Sequence, residues 1–164
     1  MPSTDSAKRI IQCLKNAGIS IVASLPDAAL VALINELDAN NDITHIPLSR
    51  EEEGVGVCTG AYLAGRRAAL LMQSAGLLNS CNALTTTALQ FEIPMILLVL
   101  HAGAIGDMAF PKLGQVTEPV LDALGIPTYI LSDLDDAPAL VGGGLVQAYN
   151  MKKPVAILLD KAVL

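Results

Sequence analysis

The segment 49–62 reads SREEEGVGVCTGAY, and it places three carboxylates, Glu51, Glu52 and Glu53, directly before a run of small residues. Carboxylates so arranged can do one of two things. They can lie in water in the first turn of a helix, where the macrodipole favours negative charge. Alternatively, one of them can point inward and share a proton with a ligand. At the helical period, Glu51, Val55, Cys58 and Tyr62 fall on one face, the one with most apolar character. That phase would bury Glu51 and leave Glu52 and Glu53 at the surface or against a partner. A carboxyl held away from water keeps its proton more readily and can share it with a ligand nitrogen. The residues alone leave both readings open.

Two further stretches have chemistry to offer. In 72–84, MQSAGLLNSCNAL, a strand runs into a small-residue turn at Ala75-Gly76, and Asn79 or Ser80 can cap the helix that follows. A helix N-terminus there could hold an anion, with Gln73, Asn79 and Asn82 as neutral hydrogen-bonding groups. The stretch is neither Gly-x-Gly-x-x-Gly nor a nucleotide P-loop, since no Lys follows. The glycine-rich stretch 101–114, HAGAIGDMAFPKLG, brings His101 and Asp107. It reads as a lid over a ligand or as a long connection. A histidine at the end of a buried strand serves either as a structural hydrogen bonder or in proton transfer. His45, inside a strand, reads as an ordinary strand residue. With two histidines, and with Cys13, Cys58 and Cys81 scattered, neither a metal site nor a Cys–His nucleophile is built. No Gly-x-Ser-x-Gly elbow is present.

The elements that must position these residues alternate throughout. Periodicity predicts helices at 5–17, from a cap at Asp27 through Leu37, at 49–65, 79–90, 116–124 and 135–150. Apolar runs predict strands at 19–23, 43–48, 68–73, 93–100, 126–131 and 155–160, and Pro47 marks an edge or an end. Strands separated by helices of this length imply right-handed crossovers. The expected fold is therefore α/β, a doubly wound, mostly parallel six-stranded sheet with helices on both faces. Ligands in such sheets bind beyond the carboxyl ends of the strands, which is where the three stretches fall. Gly142-Gly143-Gly144, within the last helix, has no local reason beyond close packing or a break.

Composition supports one domain over 1–164. The chain is 52% apolar with only 3% aromatics, and its mean hydropathy is +0.53. That balance suits a sheet covered on both faces. A net charge of −6 without a basic cluster argues against nucleic acid. Three cysteines without a Cys-x-x-Cys pair suit reduced structural thiols. The opening MPSTDSAKR contains no apolar signal core, which predicts a cytoplasmic protein.

The segments REEEGVGVCTGAYLAG, LLMQSAGLLNSCNALTTTA, IPMILLVLHAG and GQVTEPVLDALGIPTYIL, taken in order and spacing, resemble the thiamine-diphosphate-dependent decarboxylases. Within them the chain is most similar to the pyrimidine-binding half of the sulfopyruvate and phosphonopyruvate decarboxylases, from about Lys8 to Leu159. The resemblance implies a single pyrimidine-binding domain, with Glu51, nine residues before Gly60, as the carboxylate that contacts the cofactor's pyrimidine. It implies Gly76, Asn79, Ser80 and Asn82 as cofactor-binding residues in the turn Ser74–Ser80, where Ser74 replaces Asn and Leu78 replaces Gly. His101 stands near the position where relatives carry Arg-Gly, and it is the candidate for substrate contact or proton transfer.

The family's diphosphate half holds Mg²⁺ with Gly-Asp-Gly and a later Asn. Here Met108 follows Gly106-Asp107, and the next Asn after them is Asn150. The resemblance thus implies a separate beta subunit that carries the Mg²⁺ ligands, with thiamine diphosphate bridging the two chains. The implied function is that of the alpha subunit of a 2-oxo acid decarboxylase, acting on sulfopyruvate or phosphonopyruvate in a hetero-oligomer. A non-catalytic assembly module and an acetolactate-synthase-like carboligase subunit are the competing readings.

Overall fold

A computed structural model describes residues 4–103, 107 and 109–164. Six parallel strands form one sheet in the order β2-β1-β3-β4-β6-β5. They are β1 (Ile19–Ser24), β2 (Thr44–Pro47), β3 (Arg67–Gln73), β4 (Ile96–Leu100), β5 (Thr128–Leu131) and β6 (Val155–Leu159). The helices are α1 (Thr4–Asn16), α2 (Val31–Asp38), α3 (Glu51–Leu63), α4 (Ser74–Ala83), α5 (Pro111–Ala123) and α6 (Ala137–Met151). Strands β4 and β6 are buried along their whole length, as continuous aliphatic runs in a doubly covered sheet must be. The expected doubly wound α/β architecture is the one observed.

Alternation along each strand divides the core between two layers. Ala69, Leu71, Ile96 and Leu98 pack with α1, α2 and α6, while Leu70, Met72, Leu97 and Val99 pack with α3, α4 and α5. The chain leaves β1 for one face through α2 and leaves β3 for the other through α4. The crevice beyond β1 and β3 is therefore the switch point where open α/β sheets place ligands.

Several predicted boundaries are corrected. Residues 74–83 form a helix that starts directly off β3, so Ala75-Gly76 is not a turn, and Asn79 and Ser80 sit within the helix rather than at its cap. The buried Ser74 hydroxyl donates to the Leu100 carbonyl at 2.9 Å and ties the first residue of α4 to β4. The helix continues as a π-helical segment over Leu84–Leu89. Helix α5 begins at Pro111 rather than 116, with proline at its first position, where the missing N–H costs nothing. Edge strand β2 is shorter than expected and carries Pro47 as anticipated.

The glycine run in α6 divides in two. A side chain at Gly144 would contact Ile96, Val155 and Ile157, whereas Gly142 and Gly143 face open space, and nothing in the structure explains them. Among the described residues no helix is long and apolar enough to cross a membrane.

Candidate functional site at the carboxyl ends of the strands

Glu51 is the first residue of α3, launched from β2 by Leu48, Ser49 and Arg50. Its turn is closed from within. Glu53 Oε2 accepts from the backbone N–H groups of Ser49 (3.1 Å) and Arg50 (3.2 Å), the reach-back contact of a helix start. Arg50 pairs with Glu52 at 2.7 Å. The three carboxylates therefore divide their work: Glu53 holds the turn, Glu52 is ion-paired at the rim, and Glu51 turns toward α4.

Two glycines set where Glu51 can go. A Cβ at Gly54 would collide with the Leu70 and Leu48 side chains, so glycine lets the first turn of α3 press onto β3. A Cβ at Gly76 would stand 2.5 Å from Glu51 Cγ and 2.6 Å from Oε1. The carboxyl of Glu51 thus lies on the bare backbone of α4. The helical face proposed from periodicity is only partly right. Val55 and Cys58 are buried, but Glu51 and Tyr62 are half-buried, and Gly54 and Ala61 join the inner face.

The other candidates separate. Asn79 and Asn82 are exposed on α4. Ser80 is fully buried, with its hydroxyl 4.0 Å from Met72 Sδ, so it faces the core. Gln73 Nε2 donates to Asp27 Oδ2 at 2.8 Å, while Asp27 Oδ1 accepts from Ala29 N–H. Asp27 was legible only as a helix cap, yet it stands just beyond the carboxyl end of β1, at the switch point. The position after β1 was the signal, and scrutiny of the loops after β2, β3 and β4 alone passes it by.

His101 follows directly on the carboxyl end of β4. Its backbone N–H donates to the Leu159 carbonyl at 3.0 Å. Its side chain is buried, and Nε2 has no hydrogen-bond partner among the described residues. A buried ring nitrogen without a partner is costly unless a ligand completes it. Asp107 is engaged differently: it accepts from Gly103 N–H (2.8 Å), Ala109 N–H (3.1 Å) and Lys161 Nζ (2.7 Å). The Lys161 ammonium, followed by these two amides, holds its pKa down at about 2. Gly106 and Met108, which flank it, lie outside the described residues. Among the described residues no three His, Cys, Asp or Glu side chains are grouped to hold a metal ion.

His45 departs from its expected role as an ordinary strand residue. Its Nε2 lies 2.7 Å from Ser24 Oγ, and its Nδ1 lies 2.6 Å from Asp38 Oδ1. The three cysteines are free, and burial pushes the Cys58 thiol up to about 12.

Residues 4–123 match the family model of the thiamine pyrophosphate enzyme, N-terminal TPP binding domain. The chain belongs to the thiamine pyrophosphate enzymes. It is 39% identical over 158 residues to sulfopyruvate decarboxylase subunit alpha of Methanococcus maripaludis, covering 95% of each chain. It is 37% identical to the protein of that name from Methanocaldococcus jannaschii, covering 92% of this chain and 90% of the other. The likeness to phosphonopyruvate decarboxylase of Streptomyces viridochromogenes is more distant, at 26% identity, over 79% of this chain and 34% of the longer protein. A solved 2-oxoglutarate:ferredoxin oxidoreductase from Magnetococcus marinus shares the fold, with a TM-score of 0.76 at 15% identity, over 96% of this chain and 29% of that one.

The site is chemically suited to the cofactor of these enzymes, thiamine diphosphate. Glu51 offers a carboxyl on glycine backbone and His101 a buried ring nitrogen, groups of the kind that can bond a heterocyclic, anionic cofactor.

Proposed function

We propose that this thiamine pyrophosphate enzyme chain is the alpha subunit of a 2-oxo acid decarboxylase, acting on sulfopyruvate or phosphonopyruvate with a separate beta subunit. The observation that carries the reading is the seat of Glu51 on Gly76, together with near full-length similarity to two alpha subunits of sulfopyruvate decarboxylase. Bound thiamine diphosphate supplies the electron sink for the pair released as CO₂ leaves.

The chain's own residues supply position and proton control. Glu51 would share a proton with the pyrimidine N1′, and Gly76 leaves the carboxyl room to do so. Asn79 and Asn82, exposed on α4, would line the cofactor side, while Ser80 supports the helix from behind. His101 would offer Nε2 to the substrate. Gly56 and Gly60, one turn apart and exposed, leave a gap between the side chains on the outer face of α3. Such a surface suits close approach of the beta subunit, which would bring the Mg²⁺ ligands and the cationic groups that an anionic substrate needs.

The test is reconstitution. The chain, copurified with its partner and supplied with thiamine diphosphate and Mg²⁺, is assayed for CO₂ and aldehyde from sulfopyruvate and from phosphonopyruvate. Aldehyde formation that needs both chains supports the reading. An acyloin product would assign a carboligase, and no turnover of any 2-oxo acid would assign a non-catalytic module.

A further inference from the structure

Glu51 depends on a weak piece of architecture. Strand β2 is an edge strand of four residues, one of them a proline without an N–H to donate. It pairs on one side only, with β1. With only three residues between, α3 follows and begins with Glu51. A strand so short is poorly held by its ladder alone, yet it sets the start of the helix that carries the carboxylate.

The side chains beneath it supply the missing hold. The His45 side chain is only 6% exposed and bridges two elements, with Nε2 at 2.7 Å from Ser24 Oγ and Nδ1 at 2.6 Å from Asp38 Oδ1. Ser24 is fully buried at the carboxyl end of β1, and its own carbonyl accepts from Leu48 N–H at 2.9 Å. One serine therefore grips the β2 segment twice, at residue 45 through its hydroxyl and at residue 48 through its carbonyl. Leu48 in turn fills the space left by Gly54 in the first turn of α3.

Asp38 is otherwise out of place. It is the last residue of α2, where the helix macrodipole disfavours a carboxylate. Its bond to His45 accounts for an acid there. The order Asp–His–Ser has the spacing of a hydrolytic triad, but Ser24 has no exposed surface and cannot meet a substrate. Fixing position is what remains for it to do.

We infer that Asp38, His45 and Ser24 form a positioning device for Glu51, with His45 as its central residue, an inference that rests on the role proposed for Glu51. The device holds β2 against β1 and α2, so that the Glu51 carboxyl stays on Gly76 when cofactor and partner bind.

The test uses the complex with its partner subunit, loaded with thiamine diphosphate and Mg²⁺ and without substrate. Deuterium exchange at the thiazolium C2 of the bound cofactor is compared for wild type, His45→Phe, His45→Gln, Asp38→Asn and Glu51→Gln. Amide exchange over residues 44–53 and cofactor content are measured on the same samples. His45→Phe should slow C2 exchange by about tenfold or more and speed amide exchange over 44–53, with cofactor retained. His45→Gln, which can bond both neighbours, should recover most of both. Asp38→Asn at an exposed position keeps the test open if His45→Phe fails to fold, and it should lie between them. If Glu51→Gln slows C2 exchange while His45→Phe and Asp38→Asn leave it within about twofold of wild type, the device is overturned and the role of Glu51 stands. If Glu51→Gln itself leaves C2 exchange unchanged, the role of Glu51 falls and the device with it.

Discussion

The side chain of Glu51 lies against the backbone of Gly76, so close that a Cβ on Gly76 would be 2.5 Å from Glu51 Cγ and 2.8 Å from its Cδ. Gly76→Ala must therefore move the carboxylate, since real Cβ atoms do not make contacts that short. The helix itself gains from alanine, by about 1 kcal/mol. The expected outcome is a chain of similar thermal midpoint whose decarboxylation by the reconstituted complex falls by about 10- to 100-fold. Steady-state kinetics beside thermal unfolding would check it, and an active Gly76→Ala variant would contradict it.

Gly142→Ala provides the contrast. Nothing lies within 4 Å of a Cβ there, so only helix propensity changes. A gain of about 1 kcal/mol in denaturant unfolding is expected, with turnover unaltered.

Gly103 is held at φ +80°, and a Cβ there would meet the backbone carbonyl of Phe110 and the Gly114 N–H. Backbone cannot swing away as a side chain can. Gly103→Ala should cost about 1–3 kcal/mol and loosen the start of α5, seen as faster amide exchange over 109–116.

Asp107 gives a pH dependence with a definite sign. Its carboxylate is held at about 2, below its ordinary 3.8, by Lys161 and two backbone amides. A depressed acid contributes stability that is fully present above the unfolded value and is lost as pH falls through the folded one. The difference in thermal midpoint between wild type and Asp107→Asn should be constant from neutrality down to about pH 4 and shrink toward about pH 2. A difference that instead grew on acidification would contradict the assignment.

The cysteines should be inert while the chain is folded. Burial pushes the Cys58 thiol up to about 12 and also raises Cys13 and Cys81, so little thiolate exists at pH 8. Alkylation at that pH should spare Cys58 until denaturant is added, as peptide mass mapping would show.

Residues 96–100 and 155–159 declared the sheet openly, because a strand covered on both faces must be aliphatic at every position. The cluster of three carboxylates was also legible, and helical phase favoured an inward Glu51, which the structure finds half-buried against Gly76. Gly76 was legible as a glycine but not as what it is. A glycine after a strand reads as a turn, whereas here it sits inside a helix to clear a side chain that is 25 residues distant in sequence. His45 shows the same limit. Its partners Ser24 and Asp38 come from another strand and a helix end, so no local pattern announces them. Asp27 and Gln73 meet across the switch point for the same reason. Contacts made by chain topology leave no periodic trace.

The most direct test is Glu51→Gln in the complex with its partner, supplied with thiamine diphosphate and Mg²⁺ and followed by CO₂ release from sulfopyruvate. Glutamine preserves the size of the side chain and its seat on Gly76 but cannot exchange a proton as a carboxyl does. Turnover should fall by about 100-fold or more, with cofactor still bound. Turnover within a few-fold of wild type would show that Glu51 is one acid in a charged helix turn and that the proton control lies elsewhere.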